Sequence, residues 1–348
     1  MNDTASPAAA ARPARTIQHG AVPMVEVWRG DRVESAHSGH AVVCDAAGDI
    51  VAAWGDPQAV IYPRSACKMV QALPWVESGA ADTTPDDLLA LACASHQGAA
   101  IHTDRVARWL AALGLAEADL RCGAHQPSDP AAAQALIRAG ERPCQIHNNC
   151  SGKHTGFLAF ARHLGAGPEY VAPDHPVQTA VRAAFEDLTG EASPGHALDG
   201  CSAPNFATTL AGLARAMAAF AAAEASGDAR ARAMVRLRQA MARHPEMVAG
   251  EGRACTGLMR AMAAGVGGSA AVKTGAEGVF VAILPAQRLG VAVKIADGAT
   301  RASEAAIAAL LVRLGALDPA AAAPWLAPEI RNWRGLTTGH IAPAPGFP

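Results

Sequence analysis

Strand-like runs stand at both ends of this 348-residue chain, and the residues between them carry a helical pattern. Val25-Glu26-Val27-Trp28-Arg29-Gly30, His40-Ala41-Val42-Val43-Cys44 and Ile50-Val51-Ala52-Ala53-Trp54-Gly55 are rich in residues that favour a pleated surface. The turn Asp45-Ala46-Ala47-Gly48-Asp49 separates the second from the third. After Gly267-Gly268 the pattern returns in Ala270–Gly275, Val279–Leu284 and Leu289–Ile295, followed by a helix from about Ser303 to Leu314. Between the two sets, helices are expected over 103–113, 130–139, 152–164, 176–189, 205–223, 229–243 and 253–264, punctuated by Pro and Gly. Strand sets at both termini must bury their apolar faces together. The expected fold class is therefore mixed α/β (α+β): one antiparallel sheet built from the N- and C-terminal strands, beside a helical subdomain. Residues 1–20, rich in Ala and Pro, are expected to be a disordered tail, and 21–348 a single domain. Its sheet part spans about 21–64 and 268–317, its helical part about 65–267. The Pro/Ala-rich segment from Pro319 is expected to wrap the surface or a partner subunit.

Charge excludes some functions. A net charge of −2 without a basic block leaves no footprint for nucleic acid. No apolar run approaches the roughly 20 residues that span a bilayer. The start lacks a basic region followed by an apolar one, so no export signal is read and a cytoplasmic location is expected. Eight scattered cysteines are then expected to stay reduced, free for metal or chemistry.

The chemistry centres on Tyr62-Pro63-Arg64-Ser65-Ala66-Cys67-Lys68. Residues three apart on a helix share a face, so Ser65 and Lys68 pair a nucleophile with a base within one turn. Alone, the tetrapeptide is weak evidence, since Ser and Lys are common and an ordinary solvated helix start is the plainer reading. Lys273-Thr274-Gly275 on a strand edge strengthens it, because penicillin-recognising serine enzymes combine Ser-x-x-Lys with Lys-Thr-Gly. Between them such enzymes carry Ser-x-Asn, where this chain has Ser95-His96-Gln97 at the end of a helix. A helix C-cap is the competing account of Ser95. A third group is His147-Asn148-Asn149-Cys150-Ser151-Gly152-Lys153-His154. Cys150, Lys153 and His154 share one helical face, and Cys150 with His154 has ligand spacing for zinc if Asp199-Gly200-Cys201 adds donors. Simple packing of Cys150 is the alternative.

Taken together, Tyr62–Lys68, Ala94-Ser95-His96, Asn148–His154, Asp199-Gly200-Cys201 and Lys273-Thr274-Gly275-Ala276-Glu277-Gly278 resemble the L-asparaginase II family, the rhizobial-type asparaginases, from about Val22 to Leu317. The resemblance implies a fold similar to serine β-lactamases and glutaminases, a homodimer, and hydrolysis of L-asparagine to L-aspartate and ammonia. It implies two serine–lysine tandems, Ser65 with Lys68 and Ser95 with Lys273, and a zinc site of Cys150, Lys153 and Cys201. Here the resemblance displaces His154 in favour of Lys153 as ligand. Arg64 and Asp199 are the candidates for meeting the substrate's charged ends, with His154 and Thr274 also assigned to substrate binding. Lys273's charge is expected to help keep Lys68 neutral, and N–H groups of Ser65 and of the Lys273 strand to hold an oxyanion. The rivals are a β-lactamase or DD-peptidase, and a zinc-binding protein without catalysis.

Overall fold

The computed structural model describes residues 17–265, 267 and 269–348. It opens with strands β1 (Val22–Arg29), β2 (Arg32–Cys44), β3 (Ile50–Trp54) and the two-residue β4 (Val60–Ile61). A 3₁₀ turn, Arg64–Cys67, leads directly into α1 (Lys68–Glu77). Helices α2 (Asp86–Ala92), α3 (Ala100–Ala112), α4 (Pro130–Ala139), α5 (Ser151–His163) and α6 (Pro176–Thr189) follow. Three short strands come next: β5 (His196–Leu198), β6 (Pro204–Phe206) and β7 (Thr208–Thr209). Then come α7 (Leu210–Ala222), α8 (Ala229–Arg243), α9 (Pro245–Val248) and α10 (Ala254–Ala263). The chain closes with β8 (Ala271–Thr274), β9 (Val279–Leu284), β10 (Leu289–Ile295), α11 (Thr300–Arg313), α12 (Pro319–Leu326), β11 (Glu329–Arg331) and β12 (Thr337–Pro343).

The main sheet runs β11-β12-β1-β2-β10-β9-β8, with β3 also paired to β2, and its strand pairs are antiparallel. Strands from the two ends of the chain meet where Val43 lies opposite Val291. Every residue of β9 is buried, so both its faces are covered; α7 and α11, each packed on β9 and β10, supply the cover. Gly290 admits the backbone of α7, since a Cβ there would stand 2.3 Å from the Ala214 carbonyl oxygen. The expected mixed architecture is thus present.

Helix boundaries follow local chemistry. Asp129, Thr209 and Asp228 accept backbone N–H bonds at the starts of α4, α7 and α8, and left-handed Gly140 and Gly190 end α4 and α6. Two expectations change. The helix expected from residue 205 begins at Leu210, because Pro204–Thr209 is spent on β6 and β7. The segment from Pro319 does not simply wrap the surface: it forms α12 and two strands, and β12 joins the sheet against β1 with Ile341 opposite Val27. The tail expected to be disordered lies outside the described residues up to position 16. No described helix is long and apolar enough to cross a membrane.

Candidate active site

Ser65 occupies the 3₁₀ turn, and the turn is held from three sides. β4 pairs with β7, Ile61 opposite Thr208, which brings the chain in beside Asn205. Arg64 then takes a left-handed backbone with φ 52°, uncommon for a residue with a side chain. Its N–H donates to Asn205 Oδ1 at 3.2 Å, and its guanidinium grips Asp199 Oδ1 from Nε at 2.9 Å and Nη2 at 2.8 Å. From the third side the end of β8 presses close. A Cβ on Gly275 would lie 2.7 Å from the Pro63 carbonyl oxygen and 3.2 Å from Ala66 N, so a side chain there has no room.

Ser65 is half-buried, and its hydroxyl makes no hydrogen bond among the described residues. Lys68 is fully buried, and its Nζ donates to the Ala94 carbonyl and meets Ser95 Oγ and Cys150 Sγ, each at 3.1 Å. Lys273, from β8, reaches the same hydroxyl: its Nζ lies 2.8 Å from Ser95 Oγ and 2.7 Å from the Thr274 carbonyl oxygen. Both lysines therefore converge on Ser95, where one had been expected at each serine. Ser95 itself is pinned by its N–H to the Val248 carbonyl at 2.9 Å. Burial first, and the charge of Lys68 second, pull Lys273 down to about 7. The repulsion between the two amines thus favours the neutral form of Lys273. The strand offers fewer oxyanion donors than expected, because Thr274 N–H is bonded to Cys255 Sγ and Gly275 N–H to the Val279 carbonyl.

Behind Lys68 lie the proposed metal ligands. Gly152 lets the start of α5 abut α2, a Cβ there standing 2.4 Å from the Leu91 carbonyl oxygen. That places buried Cys150 and Lys153 beside buried Cys201, with Lys153 Nζ 3.1 Å from Cys201 Sγ. A hydrogen bond from Cys150 holds Cys201 well below its ordinary value, while the same bond and burial push Cys150 up to about 12. Burial works to lower Lys153, but the charges of Cys201 and Cys150 push it up, so a thiolate, a thiol and an ammonium converge in a dry site, and the set can hold zinc only once the thiol and ammonium protons leave. No group of three His, Cys, Asp or Glu among the described residues could hold a metal, so Lys153 is indispensable to such a site.

The remaining candidates are distributed around this centre. Asp199 pairs with Arg64; although burial works to raise it, the charges of Lys153 and Arg64 keep its carboxylate below the usual range. Fully buried His154 bonds to the Tyr170 hydroxyl through Nδ1 at 2.9 Å, and its Nε2 is buried without a partner. Burial, with the charge of Lys153, holds its ring well below its ordinary value and so neutral. Thr274 Oγ1 donates to the Gly275 carbonyl at 3.2 Å.

A cavity of about 370 Å³ opens beside Arg64, lined also by Tyr62, Leu198, Asn205, Glu277 and Lys294. Glu277 has a left-handed backbone, φ 58°, and Lys294 donates to its carbonyl. Sequence reasoning passed over Asn205 and Lys294, and gave Glu277 no role although it stands in the Lys273–Gly278 motif. A lone lysine in the apolar run Leu289–Ile295 was the one visible signal.

The family described as L-asparaginase II matches the chain over residues 25–343. No curated protein sequence matches it. Among solved structures, one described as Mglu in its native form is similar at 15% identity and a TM-score of 0.40, over 76% of this chain and 61% of that one, so the chain spans less than two-thirds of its length. A β-lactamase from Mycobacterium bovis is similar at 15% identity and TM-score 0.35, over 76% and 89% of the two chains. A putative β-lactamase from Bacteroides dorei is similar at 12% identity and TM-score 0.36, over 80% and 86%.

Proposed function

The chain belongs to the L-asparaginase II family, and on that premise we propose that it hydrolyses the side-chain amide of L-asparagine to L-aspartate and ammonia through an acyl-enzyme on Ser65. What supports this reading most is a half-buried serine hydroxyl, free of hydrogen bonds among the described residues, on the turn that runs straight into Lys68, whose buried amine meets Ser95 and through it Lys273. A nucleophile needs a base, and a buried amine serves only when neutral. With Lys273 neutral, the Ser95 hydroxyl can hand its proton to Lys273 Nζ while accepting one from Lys68. Lys68 is then free to take the proton of Ser65 as that oxygen attacks the amide carbon. The reverse transfer protonates the departing ammonia, and water later releases aspartate along the same path. The Arg64–Asp199 pair at the mouth offers one charge of each sign to the substrate's carboxylate and ammonium.

Zinc is proposed at Cys150, Lys153 and Cys201, where a bound ion would supply a Lewis acid and a fourth position for water or substrate. The active molecule is proposed to be a cytoplasmic homodimer. Ammonia release from L-asparagine, measured against nitrocefin turnover, tests the activity. Release of ammonia with nitrocefin untouched is expected; nitrocefin turnover without ammonia would assign the chain to β-lactam chemistry instead.

A further inference from the structure

Away from Ser65, α10, α11 and α12 enclose a second cavity of about 340 Å³, lined by Arg253, Arg301, Glu304, Pro324, Trp325 and Ile341. Its charges are arranged unusually. Arg301 is occupied, its Nε lying 3.0 Å from His37 Nε2, and His37 in turn lies 2.5 Å from Asp297. The side chains of Arg253 and Glu304 are not: neither makes a hydrogen bond or ion pair within the described residues, although both face this one cavity. Both are partly withdrawn from water. Burial raises the Glu304 carboxyl, and Arg253 offsets this only in part. Two opposite charges that share a partly desolvated cavity without touching each carry an uncompensated cost, and a molecule bearing both signs would relieve both.

Apart from Arg301, already engaged by His37, the rest of the wall is apolar. Trp325 lies against α10 at Gly257, where a Cβ would come within 2.5 Å of its ring; buried Ile341 and the more exposed Pro324 complete that side. We propose that this cavity is a second site, separate from the Ser65 centre, for a free α-amino acid with an apolar or aromatic side chain. Arg253 receives its carboxylate, Glu304 its ammonium, and the Trp325 wall its side chain. The volume suits such a ligand and is small for a peptide.

Calorimetric titration of the whole protein with L-leucine and L-phenylalanine tests this, since neither carries the side-chain amide proposed for the active site. Saturable binding is expected. N-acetyl-L-phenylalanine, which lacks the ammonium, and L-phenylalaninamide, which lacks the carboxylate, should each bind roughly ten- to hundredfold more weakly, the usual worth of one charged hydrogen bond. Glu304→Gln and Arg253→Gln should each weaken L-phenylalanine by a similar factor, and Asp199→Ala should leave it unchanged. No saturable binding of either amino acid would overturn the proposal. So would equal affinity for the blocked analogues, or binding abolished by Asp199→Ala and retained in Glu304→Gln and Arg253→Gln.

Discussion

The Ser95 hydroxyl lies between two buried amines, 2.8 Å from Lys273 and 3.1 Å from Lys68. Two ammonium groups sharing one hydroxyl in a dry site repel each other, so one proton is shed there, and Lys273, at about 7, is where the loss falls. Two consequences can be measured. Asparagine turnover should rise with pH through about 7, as Lys273 becomes able to accept a proton. Stability should move the same way. Between about 7 and 10.5 the unfolded chain binds a proton at Lys273 that the folded chain does not, so unfolding becomes harder as pH rises across that window. Lys273→Met should flatten this part of a melting-temperature profile, raise stability near pH 7 and lower turnover by orders of magnitude. A profile unchanged by the substitution would show that Lys273 does not titrate there. Ser95→Ala removes the bridge but leaves Ser65 in place, so a loss of on the order of 10²–10⁴-fold in kcat is expected. Wild-type turnover in Ser95→Ala would remove Ser95 from the proton path.

At the scale of elements, the site is a junction where the 3₁₀ turn, the end of β8, the loop after α2 and the start of α5 are forced into contact by glycines. Gly275→Ala drives a Cβ against the Pro63 carbonyl, backbone against backbone, so the turn must shift. Turnover should fall on the order of 10²-fold with the circular dichroism spectrum retained, since small misplacements of reacting groups are costly. Full activity in Gly275→Ala would mean that the turn tolerates the shift. The contact of α5 with Cys201 makes its own prediction. Untreated protein should carry zinc, occupancy should fall as pH drops and the thiols reprotonate, and chelation should raise KM more than it lowers kcat. Absence of zinc in metal analysis, or normal asparagine binding by Cys150→Ala and Cys201→Ala, would leave those residues a packing role. Much of this junction could be read in the sequence because the cues are local. Pro176, Asp228 and Gly190 mark helix ends within a residue or two of where they fall. The partners of Ser95 could not be read that way. Lys68 and Lys273 come from 27 and 178 residues away, and only packing decides that both meet one hydroxyl. Gly275 gave no sign of its contact with Pro63, because a glycine in a Lys-Thr-Gly run looks the same whether or not a backbone presses on it.

The whole molecule is organised by a sheet that draws on both ends of the chain, from Val22 to Pro343. β8 can carry Lys273 to a serine on the helical side only because β9 and β10 are fixed against β2 by a buried core. β12 was hidden in the sequence because Gly339 and Pro343 interrupt its alternation, yet it joins the sheet between β11 and β1, where a Cβ on Gly339 would strike the Trp28 carbonyl. The sheet thereby brings Lys273 to Ser95, which Lys68 reaches from the helix that follows the Ser65 turn, and the account stands or falls on which serine carries the acyl group. Acid-quenched protein incubated with a slow acyl donor, weighed intact and then mapped by peptide mass spectrometry, answers this directly. A single adduct on the peptide containing Ser65, absent from Ser65→Ala together with turnover, is the predicted result. An adduct on Ser95, with Ser65→Ala still hydrolysing asparagine, would contradict it.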